Sequence, residues 1–145
     1  MMRLGRLLAV FCAVSMLSGC AHESKYFQPA QSNDRSDMSS AAAKIVATDV
    51  VASMKSLVGL PNATVNLVLD DRNFGVALRE AMSKAGYRIG NDGAVTAMSY
   101  SVVNNDGQAL VRVTTSSVEF ARAYAITATG VEPVSPVSLM HRSGA

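Results

Sequence analysis

The sequence contains no tryptophan, only four phenylalanines and four tyrosines, two cysteines and two histidines in 145 residues. Without large aromatics, any core must be filled by Val, Ala, Leu, Ile and Met. His22 and His141 stand near opposite ends with no acidic partner at ligand spacing, which argues against a metal site. Neither sign of charge dominates, with 13 Lys and Arg against 11 Asp and Glu. Two of the basic residues, Arg3 and Arg6, precede an apolar run, and without them the count is eleven of each. The basic sequence pI is therefore no nucleic-acid footprint, and no direct nucleic-acid binding is expected. Long apolar runs are missing too. The longest, 7–17, would span about 16 Å as a helix, against roughly 30 Å of bilayer hydrocarbon. The length suits one ordinary domain rather than two.

What the N-terminus does have is an ordered pattern. A short basic stretch ending at Arg6 is followed by the apolar run and then by Leu17-Ser18-Gly19-Cys20. A charged start, an apolar middle and small residues before a cleavage point form a secretion signal. Branched apolar, two small residues and Cys is the lipobox of bacterial lipoproteins. The small residues admit the peptidase, and the Cys20 thiolate can take up a diacylglyceryl group. Residues 1–19 therefore read as a signal peptide cleaved between Gly19 and Cys20, with Cys20 lipidated. Cys12 would be lost with the signal, leaving no disulfide, although an oxidising compartment would permit one. Ala21 rather than Asp follows Cys20, which favours the outer membrane, with the domain facing the periplasm. No cofactor is expected beyond the lipid on Cys20.

Residues 20–38 are polar and read as a flexible tether. Tyr26 and Phe27 are either stray aromatics or a short docking segment. The folded domain is expected over 39–142. Ser39 and Ser40 can cap a helix carrying Ala42, Ile45, Val46, Val50, Met54 and Leu57 at helical spacing, stopped by Gly59 and Pro61. Val65, Leu67 and Leu69 alternate as a strand. Asp70 and Asp71 complement the start of a second helix, whose stripe is Phe74, Ala77, Leu78, Ala81, Met82 and Ala85. Glu80 and Lys84 form an i,i+4 pair, and Gly86 ends the helix. Beyond Tyr87 the period becomes two. Strands are expected over 87–89, 94–103, 109–114, 119–127 and 137–140, with Asn104-Asn105-Asp106-Gly107 as a hairpin turn and 130–136 as a loop. This order predicts an α+β two-layer domain, two helices on one face of a mainly antiparallel sheet ending in a meander.

Reaction chemistry is not evident. Adjacent Asp70 and Asp71 suit a helix start better than paired acid and base. Ser116-Ser117 lacks a G-x-S-x-G context and a histidine base, so it reads as turn chemistry. The glycines of 86–93 follow a helix rather than opening one and cannot cradle a phosphate in the P-loop manner. Asn62-Ala63-Thr64 is a chance sequon. Arg112 and Arg122 read as solvated edge or outer-face residues that discourage sheet aggregation. The chain is not expected to be an enzyme.

The lipobox and tether, the stretch from Phe74 to Tyr87 (FGVALREAMSKAGY), Leu110-Val111-Arg112-Val113, Phe120-Ala121-Arg122-Ala123-Tyr124 and the loop Gly130 to Pro136 together resemble the TrbH family. The resemblance spans roughly residues 1–142 and rests on the order of elements and the size. The Ala/Pro-rich insertion of some members after the second helix is missing. The resemblance implies a lipoprotein of a Trb-type conjugative type IV secretion system, acting in mating-pair formation and DNA transfer. It implies no catalytic residues. Its expected partners are outer-membrane lipid, through the acyl anchor, and other channel core subunits in a multimer. An exposed sheet edge would be the docking surface, and the 109–125 hairpin, with Val111, Val113, Phe120 and Tyr124, is the expected one. A free-standing envelope lipoprotein that binds peptidoglycan or a periplasmic protein is the second reading. A small envelope hydrolase is the third.

Overall fold

The structure is a computed structural model that describes residues 31–57, 63–90 and 96–141. In chain order these form β1 (Asn33–Arg35), α1 (Ser40–Leu57), β2 (Thr64–Leu67), α2 (Asn73–Lys84), β3 (Arg88–Ile89), β4 (Thr96–Asn105), β5 (Gln108–Thr115), β6 (Val118–Thr127), β7 (Gly130–Pro133) and β8 (Ser138–His141). Two helices cover one face of a single sheet, the expected two-layer α+β arrangement.

The sheet is mixed, a correction to the simple meander. β2 runs parallel to both β3 and β4, and β1 runs parallel to β4, while β4 through β8 pair antiparallel. The reason lies in the connections. α1 and α2 each join two strands as crossovers, and a strand–helix–strand path returns the second strand in the same direction. The hairpins that follow have turns too short for a crossover. At the β4–β5 turn Asp106 and Gly107 both take positive φ, 49° and 79°, as the two-residue hairpin signal requires.

β4 and β6 are long, and each shares its outer side between two short strands laid end to end. β2 pairs with 96–98 of β4 and β1 with 101–103. β8 pairs with 118–121 of β6 and β7 with 124–127. A serine bridges each junction. The Ser32 hydroxyl accepts from the Tyr100 N–H at 3.1 Å and donates to the Val68 carbonyl. The Ser135 hydroxyl accepts from the Ala123 N–H at 2.9 Å and donates to the Pro136 carbonyl at 3.0 Å. Each side chain meets the backbone groups that the break in pairing would orphan.

Two readings of the tether and loop are corrected here. Residues 33–35, read as tether, are a strand with Asp34 buried. Residues 130–133, read as loop, are β7, and Pro133 sits on its edge position where no N–H is required.

The core lies between the layers. Leu78, Phe74 and Met82 of α2 are fully buried, as the stripe predicted, and each contributes about 1.5–3 kcal/mol. α1 buries Ala43, Val46, Ala47, Val50 and Met54, whereas Ile45 and Leu57 are about half exposed. The alanines form the true face because α1 packs closely on α2 and on β6–β7. Ser39 Oγ accepts from the Ala42 N–H at 3.2 Å, the expected cap of α1.

Candidate docking surface

The residues predicted as an interaction edge are at the centre of the molecule. Val111, Val113, Phe120 and Tyr124 are at most 1% exposed. Their strands are flanked on both sides, β5 by β4 and β6, and β6 by β5 and the β7–β8 pair. Alternation identifies which residues share a face, but it does not say which strand is last, and the short strands β7 and β8 take the outer position. Gly19, Cys20, His22, Tyr26 and Phe27 lie outside the described residues. So do residues 91–95.

The sheet face opposite the helices carries a row of exposed apolar side chains. Register aligns Val103 of β4, Leu110 of β5 and Ala123 of β6 in one row, and the Val134 N–H donates to the Ala123 carbonyl at 2.9 Å, extending the row. Val103, Leu110 and Val134 are 45%, 42% and 49% exposed. Arg35 of β1 lies beside Val103 at one end. The neighbouring row is polar: Ser101, Arg112, Ala121 and Ser138. Arg112 pairs with Glu119 at 3.1 Å on this face, as its outer-face reading expected. Neighbouring strands stand about 4.8 Å apart, so the apolar row is roughly 15 Å long with polar flanks.

The polar clusters on the helix side hold the layers together. The Asp49 carboxylate of α1 accepts from Arg122 Nη1 at 2.8 Å and from the Tyr124 hydroxyl at 2.7 Å. Arg122 therefore faces the helices, a correction to its reading as a solvated residue. It shares the parity of Phe120 and Tyr124, and its guanidinium carbon lies 5.9 Å from the Tyr124 ring centre. Burial, and then the hydrogen bond to Asp49, push the Tyr124 phenol far above its ordinary range. A second knot joins β1, α2 and β4. The Asp70 carboxylate accepts from the Tyr100 hydroxyl and from the Asp34 N–H, the latter at 2.8 Å. The buried Asp34 carboxylate accepts from Ser36 Oγ at 2.6 Å and from the Phe74 N–H at 3.4 Å. The α2 N-terminus thus takes its carboxylate from residue 34, forty positions away, and Arg72 at its N-cap makes no side-chain cap. Asp70, expected to complement that helix start, does accept from the N–H of the N-cap residue Arg72 at 3.3 Å, and it ties Tyr100 as well. Burial and this hydrogen bond raise the Tyr100 phenol.

Sequence reasoning missed Asp34 and Asp49. Each lies in a stretch read for another property, a polar tether for one and an apolar helix stripe for the other. Among the described residues no group of three or more His, Cys, Asp or Glu is placed to hold a metal ion. His141 sits exposed on β8. Among them, too, no helix is long and apolar enough to cross a membrane.

The fold and its exposed features define a small two-layer α+β module whose polar side chains brace the layers and whose distinctive surface is an open sheet face. The family model for "Conjugal transfer protein TrbH" matches residues 24–143. A probable conjugal transfer protein TrbH of Sinorhizobium fredii (strain NBRC 101917 / NGR234) is 32% identical over 149 aligned positions, covering 95% of this chain and 99% of the relative. The chain belongs to the TrbH family of conjugal transfer proteins. No solved structure matches it significantly.

Proposed function

We propose that this protein is an outer-membrane lipoprotein, facing the periplasm, that serves as a structural part of a conjugative type IV secretion apparatus. The family match over 24–143 carries this reading. The lipobox Leu17-Ser18-Gly19-Cys20 supports the anchor, with cleavage after Gly19 and acylation of Cys20. Two or more acyl chains would make attachment effectively permanent, since one chain binds only marginally. The domain's contribution is mechanical: it offers a surface to other channel subunits. The open sheet face, with Val103, Leu110 and Val134 exposed in one row, is the surface we assign to that contact. Apolar centres with polar rims are the usual anatomy of such interfaces.

The test is mating frequency from donors deleted for the gene and complemented with wild type or Cys20→Ser. Deletion should abolish transfer, and wild type should restore it. Cys20→Ser should neither restore transfer nor fractionate with outer membranes. Parental transfer from the deletion strain would refute the assignment. Outer-membrane fractionation of Cys20→Ser would refute the anchor alone.

A further inference from the structure

We propose that the solvent side of the helical layer is a docking face for anionic phospholipid headgroups. A groove of about 280 Å³ runs between α1 and α2, with Val51, Ala52 and Ala81 on its floor and Lys55 and Lys84 on its rim. It continues into a recess of about 60 Å³ bounded by Lys44, Glu80 and Lys84. Three ammonium groups thus face one carboxylate. Lys84 Nζ donates to Glu80 at 2.7 Å, and with Lys44 it holds the Glu80 carboxyl below its ordinary range, so that this one acid is ionised and already shared. Lys55 makes no ion pair among the described residues.

The surplus is local. From Cys20 onward the chain has equal numbers of acidic and basic residues, so a positive helical layer leaves the rest of the surface correspondingly negative. Ile45 and Val76 stand 51% and 60% exposed on these helices. Exposed apolar side chains on a basic surface add buried apolar area to its electrostatic attraction for anionic lipid.

The residue type decides between a lipid surface and an acidic protein. Lysine is depleted in protein interfaces, where its long chain must be immobilised and its charge desolvated. At a lipid surface the stem can stay on apolar ground while the ammonium group remains hydrated among phosphates. The proposal rests on the anchored reading for its setting. Twelve residue steps separate Cys20 from Ser32, a reach of at most about 40 Å, so the domain would never be far from the bilayer. The helical layer would then face lipid and the open sheet face would turn toward the apparatus.

Flotation with vesicles tests this on the processed chain, residues 20–145, carrying Cys20→Ser, so that neither the apolar leader nor an acyl chain contributes. Vesicles of phosphatidylcholine alone are compared with vesicles containing phosphatidylglycerol. The Lys44→Gln/Lys55→Gln/Lys84→Gln variant keeps the same N-terminal region, whose contribution cancels. The parent should bind phosphatidylglycerol vesicles in a salt-sensitive way and phosphatidylcholine weakly. At roughly fivefold per lysine, the triple variant should lose on the order of 100-fold in affinity. The triple arginine variant should bind like the parent, which separates loss of charge from loss of fold. Equal binding to both vesicles, parental binding by the glutamine variant, or capture by polyglutamate with no vesicle binding would overturn the proposal. Mass spectrometry showing an unmodified Cys20 in the wild-type protein would sink the anchored reading and leave the flotation result standing.

Discussion

Gly75→Ala sets two opposite effects against each other on one residue of α2. Helix propensity alone favours alanine by about 1 kcal/mol. The surroundings of Gly75 argue the other way. A Cβ there would lie 2.7 Å from the Asp70 carbonyl oxygen and 2.8 Å from Asp70 Oδ1, and would run into the Tyr100 hydroxyl. Ordinary carbon–oxygen contacts begin near about 3.3 Å. The carbonyl belongs to the backbone entering α2. Tyr100 is pinned edge-to-face on Phe74, with ring centres 5.2 Å apart, so neither neighbour can yield cheaply. Overpacking of this kind costs about 1–3 kcal/mol. Parting Tyr100 from Asp70 leaves the buried phenol hydroxyl short of its acceptor, at a further cost of about 1–3 kcal/mol. After the propensity gain, the net destabilisation is about 3 kcal/mol, or a Tm lower by roughly 10–15 °C. Urea and thermal denaturation followed by circular dichroism would measure it, with exposed Ser83→Ala on the same helix as the control. A Gly75→Ala protein as stable as wild type would refute the packing argument around Tyr100.

Asp49→Ala strips Arg122 and Tyr124 of their shared acceptor and should cost about 1–3 kcal/mol, seen as a lower urea midpoint, while Asp49→Asn should recover part of the loss. Ser32→Ala should destabilise more than Ser135→Ala, because Ser32 is buried and Ser135 is partly exposed; the expected costs are about 2–4 against about 1 kcal/mol. The raised phenols of Tyr100 and Tyr124 give a pH dependence. Their folded pKa values exceed the unfolded value of 10.0, so the native state holds more protons above that pH. Stability is therefore intact below pH 10.0 and falls above it, by about 1.4 kcal/mol per pH unit for each tyrosine. Phenolate absorbance from these two side chains should appear only as the circular dichroism signal collapses.

The elements legible in the sequence were those whose signal is local. The α2 stripe, the Asp106-Gly107 turn and the Ser39 cap each depend on residues within a few positions of one another, and the structure shows all three. What escaped depends on pairing between distant segments. β1 has three residues and no alternation to read, and it is a strand only because β4 has a free half-edge and Asp34 can reach the α2 N-terminus. The charge of Arg122 points to solvent, yet its parity with Phe120 and Tyr124 places it on the helix side. Val111, Val113, Phe120 and Tyr124 lie on a hairpin whose turn is plain in the sequence, but a plain turn does not make its strands an edge. The outermost strands are fixed by the loop 134–137, which brings β8 back along β6 through Ser135. The open face followed from register across three strands, which no single segment encodes.

The most direct measurement is mating frequency from donors whose only copy of the protein carries Val103→Glu and Leu110→Lys, an opposite-charge pair across the two strands. Both positions are exposed, so the protein should accumulate and melt as wild type does, with a change within about 0.5 kcal/mol per site. The account predicts that transfer falls on the order of tenfold or more, the loss expected when about 1.4 kcal/mol of docking energy is removed. Parental transfer from donors holding this folded double variant at normal levels would contradict it.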